Sequence, residues 1–208
     1  DGTSENINAL SINRVGERLN SIFVVRYAGV DPATGDALYF KPDGKTTTNI
    51  YDPNDKVIVG VFDPPHFGGL TNTVNYKGIE LSAQFVYMFG HKIYNNDRTN
   101  VENPAYAVSN LNKDLLREWQ QPGDITDIPS PFSDFQTATT RFVEDGKFLR
   151  LRNVMLSYTL PRMILDKAKI NSLRVFVQGQ NLYTAFKFKG YDPEVATGSL
   201  LGSQYPQL

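Results

Sequence analysis

Few side chains in this sequence have the types and spacing that catalysis or metal binding requires. The chain of 208 residues contains two histidines, His66 and His91, and no cysteine. The histidines lack the short spacing of a zinc site, and no thiolate is available as a ligand. We therefore expect no metal site and no cofactor, and we interpret both histidines as ordinary loop residues.

Two acidic segments come closer to a functional pattern. DPNDK at 52–56 offers oxygen ligands for calcium, but it lacks the later Gly and Glu of a calcium loop. In GVDPATGD at 29–36, Asp31 and Asp36 are a candidate carboxylate pair for glycoside hydrolysis, although the proline and glycine between them favour a turn. Both segments are predicted to be turns. Since the chain also lacks a nucleophile elbow and a phosphate loop, we expect no enzymatic activity.

Composition excludes several classes of protein and leaves one kind of membrane protein open. With 21 basic and 22 acidic residues the net charge is -1, so no basic surface for nucleic acid is expected. No stretch approaches the roughly 20 apolar residues of a membrane-spanning helix. A content of 40% hydrophobic residues is typical of an ordinary globular protein. A transmembrane β-barrel has a similar average, however, because its lipid-facing and lumen-facing residues alternate.

The clearest pattern is a period-two alternation in IELSAQFVYMF at 79–89. Its odd positions are all apolar, whereas Glu80, Ser82 and Gln84 are polar. Such alternation predicts a strand with one apolar face. That face would contact lipid in a transmembrane barrel or a second sheet in a secreted, glycan-binding β-sandwich, and the pattern alone does not separate these architectures.

Neighbouring segments predict more strands of the same kind. Strands are expected at 147–161 and 171–186, and a tight hairpin is expected at Lys77-Gly78, with positive φ at the glycine. The apolar parity changes near Asn153, which predicts a β-bulge. Aromatic residues near strand ends are typical of an interfacial girdle. They are Tyr87, Phe89, Tyr94, Tyr158, Tyr183 and Phe186.

A long excursion is predicted between the strands, at 96–136. It is rich in Asn, Pro, Asp and Ser, and it contains one short helix that Asn112 would cap and that would run through Trp119. Trp119 would either stack on a sugar or a partner protein, or anchor the helix of this loop.

Four blocks in order resemble the SusC/RagA-like family of TonB-linked outer membrane transporters. They are YAGVDPATGDALYF, FGGLTNTVNYKGIELSAQFVYMFGHKIYN, DGKFLRLRNVMLSYTLP and SLRVFVQGQNLYTAFKFKGYDPE. The resemblance implies a transmembrane β-barrel in the outer membrane of a Gram-negative bacterium, in contact with the lipid bilayer. It also implies a SusD-like surface lipoprotein as a lid, energy from the TonB complex through a plug region, and import of oligosaccharides or peptides.

We therefore expect an all-β fold, an antiparallel meander that forms an open, curved part of a barrel. Residues 1–208 would be the C-terminal portion of the barrel, without the plug domain and without the last strand, which the family pattern places after the YPQ at 205–207. If Ile79 and Leu173 face lipid, other side chains face the lumen and are candidates for ligand contact. They are Glu80, Gln84, Arg174, Gln178 and Gln180. The alternative is that residues 178–181 only satisfy hydrogen bonds within the barrel.

Overall fold

The fold consists of antiparallel strands with a few short helices, as predicted. The computed structural model describes residues 5–103 and 110–194. The strands are β1 (Asn6–Ile7), β2 (Ser11–Asn13), β3 (Ser21–Val25), β4 (Tyr27–Val30), β5 (Ala37–Phe40), β6 (Thr47–Thr48), β7 (Lys56–Val61), β8 (His66–Tyr76), β9 (Ile79–Phe89), β10 (Lys92–Tyr94), β11 (Val143–Asp145), β12 (Phe148–Thr159) and β13 (Arg174–Phe186). The α-helices are α1 (Asn96–Val101) and α2 (Arg162–Leu165), and 3-10 helices lie at Pro53–Asp55, Lys113–Arg117, Thr140–Phe142 and Asp166–Ala168. None of the helices in this described part has the length and hydropathy of a membrane span.

Four strands form one long sheet in the order β13-β12-β9-β8. They contain 13, 12, 11 and 11 residues, and each neighbouring pair is antiparallel. β8 and β9 are joined by Lys77 and Gly78, whose φ values are 48° and 86°. Positive φ at both positions gives a turn that matches the right-handed twist of a hairpin. The predicted hairpin and the predicted open antiparallel meander are confirmed.

The register of this sheet changes at Arg152. Leu151 pairs with Phe85 and Asn153 pairs with the adjacent Gln84, so Arg152 is an extra residue of β12 against β9. Against β13 the same two positions pair with Tyr183 and Gln180, so β13 contributes the additional residue there. A bulge of this kind bends the sheet and increases its twist. The bulge predicted near Asn153 is therefore confirmed.

The shorter strands pair in three smaller sheets, ordered β1-β2-β3-β7, β4-β5-β6 and β10-β11. They belong to the chain before β8 and to the excursion between β9 and β12. These two regions contact each other, because the backbone nitrogen of Tyr27 donates to Thr140 Oγ1 at 2.9 Å. The main hydrophobic core also lies here, away from the long sheet. Its buried members are Ile22, Val24, Phe62, Tyr94 and Phe142.

The excursion contains more structure than the sequence predicts. β10 and β11 pair at its base, and α1 follows β10 directly. Asn112 caps the predicted short helix by accepting from the backbone nitrogen of Asp114 at 3.1 Å. The helix is of the 3-10 type and ends at Arg117, two residues before Trp119. The expectation that the last strand of the family pattern, after 205–207, is missing concerns a part of the chain outside the described residues, and it stays a prediction.

The hairpin turn is expected to be sensitive to side-chain volume at Gly78. A Cβ there would lie 2.8 Å from the Thr159 carbonyl oxygen, in addition to the strain of positive φ. We expect Gly78→Ala to lower the free energy of unfolding by about 2 kcal/mol, measured by urea denaturation of the full-length protein.

Gly123→Ala is the matched control, since Gly123 also has positive φ but has nothing within 4 Å of an added Cβ. It should cost about 1 kcal/mol. Equal losses at the two positions would contradict a steric constraint on the turn.

Candidate functional site, the polar face of the long sheet

The acidic segments that resembled catalytic or calcium motifs form a turn and a 3-10 helix. Asp52 accepts from the backbone nitrogen of Asn54 at 2.9 Å and so caps a 3-10 helix, while Asp55 accepts from Lys41 Nζ at 2.8 Å. Asp31 accepts from the backbone nitrogen of Ala33 at 2.8 Å. The predicted turn at 29–36 is therefore confirmed, whereas the segment at 52–56 forms one turn of 3-10 helix that leads into β7.

The two histidines have separate surroundings. His66 stacks on Phe89, with ring centroids 4.8 Å apart. The His91 imidazole is buried beside Gly146, where an added Cβ would clash with the ring, and this burial lowers the pKa of His91. Across residues 5–103 and 110–194, no three His, Asp or Glu side chains are grouped as a metal site requires.

The strand register sorts the side chains of the long sheet onto two faces. Leu81 pairs with Val74 on one side and Leu156 on the other, and Leu156 pairs with Val177, so apolar residues form continuous rows across all four strands. We call this surface the apolar face. Its large members are Leu70, Val74, Tyr76, Ile79, Leu81, Phe85, Tyr87, Leu149, Leu151, Val154, Leu156, Tyr158, Val175, Val177 and Tyr183.

No described element covers the apolar face. Leu81 is 46% exposed, Leu156 46% and Val177 66%. A β-sandwich would bury these side chains between two sheets. The sandwich considered as the alternative architecture is therefore not formed by residues 5–103 and 110–194.

The opposite surface, which we call the polar face, contains all five predicted lumen-facing residues. Near the hairpin end, Arg174 donates to Glu80 Oε1 at 2.5 Å and to Ser157 Oγ at 2.9 Å. These contacts link β13, β12 and β9 across the sheet. Phe176 also lies on this face, opposite Ser157, although its side chain is apolar.

The middle of the polar face is a shallow concavity of about 330 Å³ at the bulge. Gln178 donates to Asn153 Oδ1 at 2.7 Å within it, and Gln84 and Gln180 pair with Asn153 on either side. The lining combines amide groups that donate and accept with the guanidinium of Arg152. Such groups can hydrogen-bond the backbone of a peptide or the hydroxyls of a sugar.

A charged cluster that sequence reasoning missed covers the other end of the polar face. Arg150 is 3% exposed and contacts Asp192 at 2.6 Å and Glu194 at 2.8 Å. Arg152 contacts Glu194 at 2.5 Å. The chain after β13 therefore folds back over this face. Arg150 and Arg152, two residues apart in β12, are the sequence feature that could have indicated this cluster. The sequence alone does not show that Asp192 and Glu194 are their partners.

Only some of the aromatic residues predicted to form an interfacial girdle lie on the apolar face. Tyr87 and Phe89 stack with centroids 5.7 Å apart at one end of the apolar face, and Tyr158 lies near the other end. Phe186 is on the polar face opposite Phe148, because it differs in parity from Tyr183. Tyr94 is also not part of a girdle. It is buried in the core, where its hydroxyl donates to the Thr137 carbonyl at 2.9 Å and where burial raises its pKa to about 12.

Trp119 anchors the excursion to a distant turn. Its Nε1 donates to the Pro32 carbonyl oxygen at 3.0 Å, and its ring fills the space beside Gly35. Gly35 has φ of 79° and leaves no room for a side chain there. The ring thus anchors the turn at 31–36 and not, as predicted, its own short helix. Stacking of Trp119 on a sugar or a partner protein stays a prediction.

Comparisons with known proteins point to one kind of transporter. No protein-family model matches the chain. TonB-dependent receptor P3 of Formosa agariphila is 29% identical over 198 residues, covering 88% of this chain, and TonB-dependent receptor P26 of the same organism is 28% identical over 170 residues, covering 79%. The chain spans 19% and 17% of the length of these relatives.

Solved structures agree with the sequence relatives. A chain of the RagAB peptide transporter has a TM-score of 0.83 at 35% identity, over 90% of this chain and 21% of its own length. A chain of the RagAB peptide importer in its closed-closed state has a TM-score of 0.85 at 34% identity. The match covers 93% of this chain and 22% of the importer chain. The predicted resemblance to SusC/RagA-like transporters is confirmed, and the predicted outer membrane location with it. By name these relatives are receptors and transporters rather than enzymes.

The two ionic groups of the polar face should differ in their effect on stability. We expect Arg150→Gln to lower the free energy of unfolding by about 3 to 5 kcal/mol, because it leaves a buried carboxylate without its cation. Urea denaturation of the full-length protein measures this loss.

Arg174→Gln removes the same charge from a pair whose side chains are 45% and 28% exposed. Its cost should stay below about 1 kcal/mol. A loss at Arg174 as large as that at Arg150 would show that burial does not decide the strength of these pairs.

Proposed function

We propose that this chain, as a relative of the SusC/RagA-like TonB-dependent transporters, forms part of the transmembrane barrel of an outer membrane importer. The long sheet carries the proposal, since one face is continuously apolar and uncovered while the other is polar and hydrogen-bonded. A barrel wall between hydrocarbon and a water-filled lumen requires such a pair of faces. The residues would belong to its C-terminal portion.

The dimensions of the sheet support a membrane location. Strands of 11 to 13 residues that rise ~3.3 Å per residue and tilt by about 40° would span roughly 28 to 33 Å along the membrane normal, enough to cross an apolar band about 25 Å tall. This agrees with the apolar band of outer membrane barrels. The two-residue turn at Lys77-Gly78 would then lie on the periplasmic side and the excursion after β9 on the external side, because periplasmic turns are the shorter ones.

The polar face would line the route of the imported solute. Glu80 and Arg174 neutralise each other near the periplasmic end, so this part of the wall offers a balanced dipole rather than a net charge. Gln84, Gln178 and Gln180 offer amide groups near the middle. We assign these five residues to solute contact, with Gln84 and Gln180 as the main candidates since Gln178 is already bonded to Asn153.

A peptide is the favoured solute, with an oligosaccharide as the second candidate. The structural neighbours are described as a peptide transporter, and amide side chains match the donors and acceptors of a peptide backbone. We further propose energy input from the TonB complex through a plug region and a SusD-like surface lipoprotein as the lid. Apolar side chains of the excursion are candidates for the lid contact. Leu116 is 84% exposed, Ile125 94% and Phe132 97%.

The membrane location is tested by placing a charge on each face. Phe85 lies on the apolar face beside Gln84, in the middle of β9. Phe85→Arg should cost about 2 to 4 kcal/mol near the membrane midplane and reduce barrel assembly, whereas Gln84→Arg should be tolerated. Assembly is measured as the heat-modifiable, folded fraction of the full-length protein in outer membranes. Equal tolerance at the two positions would contradict the assignment of the faces.

The transport route is tested by removing amide groups from the polar face. We expect Gln84→Leu combined with Gln180→Leu to slow peptide uptake by about threefold to tenfold, as the loss of one or two hydrogen bonds implies. Uptake of labelled peptides and of labelled oligosaccharides by cells expressing the full-length transporter distinguishes the two solute classes.

Val74→Leu, on the apolar face, is the control and should leave uptake unchanged. Unchanged uptake of both solutes by the double variant, with normal assembly, would exclude these glutamines from the route.

A further inference from the structure

We propose that the apolar face carries a binding site for an anionic, phosphate-bearing lipid of the outer leaflet. The site is a concavity of about 600 Å³ at the external end of the long sheet. This inference depends on the proposed membrane location. Three rows of residues across β9, β12 and β13 form the lining of this concavity.

The alternation of side chains places the concavity on the apolar face. Tyr87, Leu149 and Ala185 form one row there, since Leu149 pairs with both of the others. Met88, Phe148 and Phe186 form the next row, whose side chains belong to the opposite face by the alternation of each strand. The site therefore lies on the side that would contact hydrocarbon rather than the lumen.

Ala185 is the reason that the surface is hollow here. Its neighbours in the row are large, and the stacked rings of Tyr87 and Phe89 form one wall. A small side chain among large ones leaves an apolar groove, in which an acyl chain would gain dispersion contacts with the lining. The concavity is nearly all apolar except at its rim.

Two lysines at the rim provide the charge. Lys147 directly precedes β12 and Lys187 directly follows β13, so both lie one step beyond the aromatic row, at the external boundary of the membrane. Lys147 contacts Asp145 at 3.0 Å and its side chain is still 54% exposed. Lys187 forms no ion pair within residues 5–103 and 110–194.

An anionic lipid satisfies both parts of the site. Its acyl chain would occupy the groove beside Ala185, and its phosphate would accept from the two ammonium groups, which extend toward the headgroup layer as lysines at membrane boundaries do. A neutral lipid would fill the groove but leave the Lys187 ammonium without an anionic partner, and Lys147 with Asp145 alone. A soluble anion would use the lysines but not the groove.

Native mass spectrometry of the full-length transporter tests the site with phosphorylated lipid A and its dephosphorylated form as probes. We expect the wild type to retain the phosphorylated probe. Retention should fall about tenfold when Lys147→Gln and Lys187→Gln are combined, and also when the probe lacks phosphate. Ala185→Phe should lower retention while both lysines remain, because it fills the groove.

Lys167→Gln is the control, since Lys167 lies in the 3-10 helix at the opposite end of the sheet. It should leave retention unchanged. Wild-type retention by the double lysine variant, or equal retention of the two probes, would overturn the proposal. Each variant is first recovered from the outer membrane fraction. Failure of the wild type to appear in that fraction would instead overturn the proposed function.

Discussion

The antiparallel register of β9, β12 and β13 is the constraint on which the rest of the structure depends. Each strand must hydrogen-bond its neighbours, and the alternation of side chains then fixes which residue lies on which face. The bulge at Arg152 preserves this sorting where the parity of β12 changes. Without the extra residue, Leu149 and Leu151 would leave the apolar rows that contain Leu156, and neither face would be continuous.

The two faces explain why the hydrophobic core lies elsewhere. A sheet that separates hydrocarbon from water needs no second layer, so its large apolar side chains remain uncovered by protein. The buried cluster around Phe142 instead holds the regions outside the long sheet together. There, Trp119 beside Gly35 and the bond from Tyr27 to Thr140 join distant parts of the chain. The uncovered apolar face, which we propose to contact lipid, and the conventional buried core thus occupy separate regions of the protein.

The polar face is organised by pairing rather than by net charge. Buried Arg150 meets two carboxylates, and exposed Arg174 meets one. A charged side chain can be buried without a large loss of stability only when it has such partners, whereas an exposed ion pair contributes little to folding stability. The central amides lie between these ionic groups, in a concavity that they share with the guanidinium of Arg152.

The sequence by itself determined the features that repeat locally. Period-two alternation, the Lys77-Gly78 turn and the parity change near Asn153 sufficed to predict the long strands, the hairpin, the bulge and the five residues of the polar face, because each depends on neighbours within a few positions. Only the tertiary structure decided that Tyr94 is a core residue, that Trp119 holds the turn beside Gly35, and that Arg150 meets Asp192. These contacts join residues far apart in the chain, and their partners follow from the packing of whole elements rather than from any local pattern.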